Sequence, residues 1–311
     1  MDELYVMESI YESKQLQRVC PDIMIVAASC DDRAYEGIAR ILKKDIKIEN
    51  LFVLKFKDQI IEPSQPLFEA YSKYTTFGIP VTEFEVDEDI INLDPRDFNE
   101  KKVLLDITGF STPNLFRILY VLREILSVSS LHAIYTEPAH YIFNKDTFGS
   151  YTYFIGEREY RAVDEFYVSG SDGRELLTIF LGFDRMTSTI VKESVDPTET
   201  ILVNGFPAMT PKLKDVSLLN NHELISILGT PPYSVKATNP FATYNVLSQI
   251  QRKHPDMLLN VCVLGTKPMA LGAGLYALQN KNVKLSYAHT KSHATETTKG
   301  AATTWYYFTQ L

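Results

Sequence analysis

The sequence predicts an α/β protein built as two Rossmann-like halves, each with a mainly parallel sheet, joined by a β-rich connector. Three observations carry that prediction. Short apolar runs of strand length alternate with amphipathic segments of helical length, the pattern of parallel strands joined by crossover helices. The 311 residues are 45% hydrophobic and 23% charged, which is chain enough for about two domains with their own cores. Finally, the turn motifs of the first half recur in the same order in the second.

Eight apolar runs closed by turn residues read as strands buried on both faces. They are 23–28, 51–56, 103–107 and 131–135 in the first half, and 177–181, 201–204, 258–263 and 283–287 in the second. Between them, 32–42, 113–126, 215–228, 240–252 and 268–279 carry apolar residues three and four apart, which predicts helices. Pro113, Pro240 and Pro268 each open such a segment, where a preset φ is welcome and the missing N–H costs nothing. Thr112 and Asn239 precede the first two as N-cap candidates.

The connector spans 138–176, between halves 1–137 and 177–311. Its Tyr151, Tyr153, Phe154, Tyr160, Phe166 and Tyr167, with the Ser-Gly-Ser-Asp-Gly turn at 169–173, favour strands. Near the C-terminus, the Ser/Thr/His/Lys-rich stretch 289–304 reads as a loop before an apolar strand at 305–308.

The repeat sets IVAASCDDR (25–33), LLDITGFSTP (104–113) and AIYTEP (133–138) against IFLGFDR (179–185), CVLGTKP (262–268) and LSYAHT (285–290). Arg33 to Pro113 spans 80 residues and Arg185 to Pro268 spans 83. An internal duplication explains the pattern, and a crevice where two related units meet would be a natural pocket. Each match is short, and strand-to-helix turns favour Gly, Thr, Asp and Pro on their own account, so chance is the competing explanation.

Charge and cysteine narrow the function classes. The formal net charge is −8 and no basic run stands out, which argues against a duplex nucleic-acid surface. A pocket for a small anion needs only one or two inward Lys or Arg residues, so it stays open. Cys20, Cys30 and Cys262 lack metal-ligand spacing and read as reduced thiols. The N-terminal segment lacks signal-peptide order, and no apolar stretch is long enough to span a membrane. Cytoplasmic residence is the expectation.

In an open parallel sheet, ligands bind outside the carboxyl ends of the strands, so the turns there carry the candidate chemistry. Gly265-Thr266-Lys267-Pro268 joins a buried strand to a helix. It offers close backbone approach, helix N-terminal N–H groups, a hydroxyl and a cation to an anionic ligand. A plain strand-to-helix turn with a solvated lysine is the alternative. Asp106, Thr108 and Gly109 form an acidic, Thr/Gly-rich turn. Arg33 and Arg185 follow aspartates just past strands, where each could clamp a phosphate; equally, each aspartate could cap its helix and pair with its arginine. Glu137, after Tyr135-Thr136, is a candidate hydroxyl acceptor or proton shuttle, although no carboxylate partner is evident. His289 and His293 lack a third ligand, so no metal site is expected. No G-x-S-x-G, Walker A or G-x-G-x-x-G motif is present, and the sequence names no cofactor.

The segment LLNVCVLGTKPMALGAGLYAL (258–278) resembles the strand–GTK–helix turn of CARF domains, Rossmann-fold sensors of cyclic oligonucleotides in bacterial immunity. It is also similar to SAVED domains, which look like two fused CARF units. This chain has Leu264 where those turns usually carry a first glycine. The resemblance implies that Thr266 and Lys267 contact ligand phosphate, and that a protein effector partner is served. Asp106–Thr112 looks like the ribose-phosphate loop of type I phosphoribosyltransferases, but Leu105 stands where a second acidic residue is usual. The leading expectation is a sensor of a nucleotide or other phosphorylated small molecule, in antiviral defence. A phosphoribosyl- or nucleotide-processing enzyme and a structural subunit of a defence complex are the competing classes.

Overall fold

The computed structural model describes residues 5–29, 31–56, 74–86, 91–142, 154–168, 173–184, 186–206, 211–293 and 298–311. In chain order the elements begin with β1 (Tyr5–Ser9), α1 (Lys14–Val19), β2 (Ile23–Ala27), α2 (Arg33–Leu42), β3 (Asn50–Phe56) and β4 (Val81–Val86). Then come α3 (Pro95–Phe98), β5 (Val103–Asp106), α4 (Thr112–Tyr120), β6 (Ser130–Tyr141), β7 (Phe154–Ala162), β8 (Glu175–Phe180), α5 (Thr187–Val195) and β9 (Glu199–Gly205). The remainder is α6 (Pro211–Asn220), α7 (His222–Leu228), β10 (Tyr233–Val235), α8 (Pro240–Lys253), β11 (Leu258–Val263), α9 (Lys267–Gln279), β12 (Val283–His293) and β13 (Thr298–Gln310).

The chain divides into two compact units, 1–142 with 295–311 and 143–294. In the first, the sheet order is β1-β13-β6-β5-β2-β3-β4. β6, β5, β2, β3 and β4 run parallel, while β13 lies antiparallel to β6 and β1 antiparallel to β13. In the second, the order is β10-β9-β8-β11-β12-β7, parallel except for β7 against β12. Numbered by appearance within each unit, the parallel strands follow one order, 3-2-1-4-5, the doubly wound arrangement. The α/β architecture with mainly parallel sheets is as expected.

Sequence composition explains the strands. β2, β5 and β11 are buried along their whole length, as strands covered by helices on both faces must be. The first core gathers Met24, Val26, Leu51, Val53 and Leu104 under Ile38 and Ile41 of α2. The second gathers Leu177, Ile179, Leu202 and Cys262 with Val191 of α5 and Leu224 of α7.

Several expectations are corrected. Residues 289–293 and 298–304 are strand rather than loop: the polar side chains hid backbone that pairs with β7 and β6. β6 runs on to Tyr141, so Glu137 lies inside a strand and not at its end. The segment 113–126 is α-helical only to Tyr120 and then turns as a π-helix over Val121–Ile125. The segment 215–228 is two helices, broken at Asn221, whose amide spends its N–H groups on the Gly182 and Ser217 carbonyls. Ser111, not Thr112, is the N-cap of α4. Among the described residues, no helix is long and apolar enough to cross a membrane.

Candidate functional site

In the first unit the strand ends carry a self-paired polar cluster. Arg33 opens α2 and is 9% exposed. Its Nε donates to both Asp31 carboxylate oxygens at 3.0 Å, Nη2 donates to Oδ2 at 2.5 Å, and Nη1 donates to the Thr136 carbonyl at 3.0 Å. Burial works against the charge, but Tyr135 and Asp31 outweigh it and hold the guanidinium above its ordinary range. The bidentate face that a phosphate would use is therefore occupied by Asp31. Thr298 of β13 donates to the same carboxylate at 3.1 Å.

Asp106 ends β5 and is 1% exposed. Its Oδ1 accepts from the Thr108 N–H at 2.9 Å, and the Thr108 hydroxyl accepts from the Thr136 N–H at 3.0 Å. Burial pushes the Asp106 carboxyl up to about 7, against the pull of Thr108 and Arg33. Gly109 follows in the turn, packed against the Ala27 carbonyl. Arg40 of α2 reaches β13, donating to the Ala302 carbonyl at 2.5 Å and to the Thr304 hydroxyl at 2.8 Å.

In the second unit, Asp184 caps α5: its Oδ1 accepts from the N–H groups of Met186 and Thr187, both at 3.0 Å. Arg185 lies outside the described residues. At the end of β11, Gly265 and Thr266 lead into α9. Thr266 is the N-cap by backbone geometry, with φ −81° and ψ 160°, yet its side chain caps nothing. The hydroxyl donates instead to the Ala237 carbonyl at 2.5 Å. Pro268 has no N–H, and the first intrahelical bond runs from the Ala270 N–H to the Thr266 carbonyl at 3.1 Å. By contrast, Asn239 caps α8 through bonds of 2.9 and 3.2 Å, and Ser111 caps α4 at 3.4 Å. The N-cap side chain of α9 thus leaves the positive end of the helix dipole without a cap hydrogen bond of its own.

Arg33, Asp106, Thr108 and Gly109 are brought together in the first unit, while Gly265, Thr266 and Lys267 form a separate turn in the second. Sequence reasoning missed Thr136, Thr298, Thr304 and Arg40. The signal for Arg40 was its place seven residues after Arg33 on one helical face; β13 carried none, since its partner is far away in sequence. Among the described residues, no group of three or more His, Cys, Asp or Glu could hold a metal ion.

No protein-family model matches the chain, and no curated protein matches it. Solved structures do. One is a type III CRISPR defence DNA nuclease activated by cyclic oligoadenylate, with TM-score 0.54 and 10% identity over 85% of this chain and 64% of the nuclease. The chain therefore spans somewhat under two thirds of that protein, and the likeness is one of fold. A universal stress protein from Archaeoglobus fulgidus DSM 4304 matches at 13% identity over 88% of this chain and 97% of that one, with TM-score 0.26, too low to carry an argument.

Proposed function

We propose that the protein is a nucleotide sensor in antiviral defence, binding a cyclic oligoadenylate through the β11–α9 turn of the second unit. The observation that carries the reading is the opening of α9, whose N-cap side chain is turned away to Ala237. A phosphate placed there would meet backbone N–H groups, the helix dipole and the Lys267 cation. Because the Thr266 proton is spent on Ala237, its hydroxyl would hold the turn's shape rather than donate to the ligand. The fold-level likeness to a nuclease that cyclic oligoadenylate activates supports that ligand class. The common strand order of the two units supports an internal duplication, with the first unit's turns consolidated by the Asp31–Arg33 pair. Transmission to a protein effector partner belongs to the same proposal.

Calorimetry with a panel of cyclic oligoadenylates of different ring size tests it. Losing one charged contact to phosphate costs roughly 1.5–3 kcal/mol, so Lys267→Ala should bind about 10- to 100-fold more weakly. No heat from any ring size, with the unaltered protein folded, would end the sensor reading. Nucleotide recovered as cleaved product by mass spectrometry would favour an enzyme.

A further inference from the structure

Asp106 is a buried carboxyl with one oxygen satisfied and one not. Oδ1 takes the Thr108 N–H, while Oδ2 has no hydrogen-bond partner among the described residues. Oδ2 is lodged against Gly37 of α2: a Cβ at that position would lie 2.9 Å from Ile134 Cδ1 and 3.1 Å from Asp106 Cγ, and closer still to Oδ2. A buried charged oxygen without a donor is costly, and a neutral carboxyl much less so.

The groups around it set what ionisation would do. On α2, Arg33 stands one turn before Gly37 on the same helical face, and its charge favours the carboxylate. Asp31, in the β2–α2 loop, opposes ionisation. The buried Tyr74 hydroxyl lies within electrostatic reach and is itself held protonated by burial. From β6 comes the apolar Ile134. Arg33 is the one cation among these groups, and it is committed to Asp31, which in turn holds Thr298 of the C-terminal strand.

We infer that Asp106 is a proton-controlled latch on the contacts that bind α2 and the Asp31 loop to β13. When neutral, it seats against Gly37 and leaves Arg33 to Asp31. When ionised, it competes with Asp31 for Arg33, and the Asp31–Thr298 bond loosens. The latch needs no nucleotide, so it stands or falls apart from the sensor reading. Burial sets the carboxyl at about 7, so the folded state holds a proton that the unfolded chain has released. The latch is closed below that pH and opens as pH rises through it.

Trp305 is the chain's single tryptophan and lies on β13, opposite Tyr135 and Ser9. Its fluorescence in the unaltered protein should show one transition with a midpoint near 7, lost in Asp106→Asn. The exposed His140, beside Lys299 in the register of β6 and β13, is the control position. A transition that disappears in His140→Gln but survives in Asp106→Asn would overturn the latch. Carbon-13 titration of the labelled aspartate carboxyls in the unaltered protein does not depend on the variant folding. One carboxyl with a midpoint near 7 supports the inference, and all aspartates titrating in the ordinary range near 4 would refute it.

Discussion

Gly272→Ala separates local propensity from tertiary packing. In an exposed helix interior, that change stabilises by roughly 1 kcal/mol. Gly272, however, sits in the second turn of α9 where α8 crosses it. A Cβ there would lie 2.7 Å from Thr243 Cβ and 2.9 Å from the Pro240 carbonyl carbon, with the carbonyl oxygen closer still. Carbon atoms pack at about 3.5–4 Å, so α8 would have to retreat by roughly 1 Å. The obstructing group is backbone at the first residue of α8, beside the Asn239 cap, so no rotamer change relieves it. Because the obstruction is backbone, overpacking here falls at the upper end of the usual range, about 2–3 kcal/mol. After crediting the helical gain, the net loss is roughly 1–2 kcal/mol. For a unit of this size that lowers the melting temperature by about 2–8 °C. Calorimetric melting of the unaltered chain and the variant measures it; a variant melting at the same temperature or higher would show that α8 and α9 do not pack as closely as argued.

Two further tests address burial. His132 on β6 is 5% exposed, with Nδ1 2.7 Å from the Tyr306 hydroxyl; burial, helped by Lys102, lowers the imidazole to about 4. The folded protein then binds fewer protons than the unfolded chain, so stability falls as pH drops from about 6.5 towards 4, by roughly 3 kcal/mol. Urea midpoints at several pH values should show His132→Gln losing less stability across that window than the unaltered chain, and parallel curves would refute the assignment. Burial likewise pushes the Cys262 thiol up to about 12, whereas Cys20 is exposed. Maleimide labelling with peptide mapping should therefore modify Cys20 in the native state and Cys262 only after unfolding; rapid native labelling of Cys262 would contradict the burial.

Local chemistry made much of the fold legible. The runs at 23–28, 103–107 and 258–263 are buried throughout, and Asn239-Pro240 opens α8 as capping chemistry requires. What escaped is non-local. β1 is an edge strand and β13 lies between it and β6; both are amphipathic or polar, defined by pairing across much of the chain length, and no window of sequence carries that partner. The same holds for β7 and β13, each of which follows the fifth parallel strand of one unit and pairs beside that of the other. At the candidate sites, residue types pointed to the right turns but not to their occupancy. Arg33 and Asp31 were visible as a motif with a phosphate clamp and an internal pair as equal readings, and the fold places the guanidinium on the aspartate. Thr266 was visible as a hydroxyl at a helix start, yet its commitment to the Ala237 carbonyl depends on a loop 29 residues away.

The most direct test of the nucleotide-sensor proposal is a methyl NMR titration of protein carrying carbon-13 methionine methyls. Met269 lies in the first turn of α9, with its thioether against Gly265 and its methyl against Gly205, whereas Met24 is buried in the core of the other unit. Adding the cyclic oligoadenylate that binds should move the Met269 resonance in a saturable way, with Lys267→Ala shifting the saturation point to about 10-fold higher ligand or more. Binding that leaves Met269 unmoved would contradict the placement of the ligand at the β11–α9 turn.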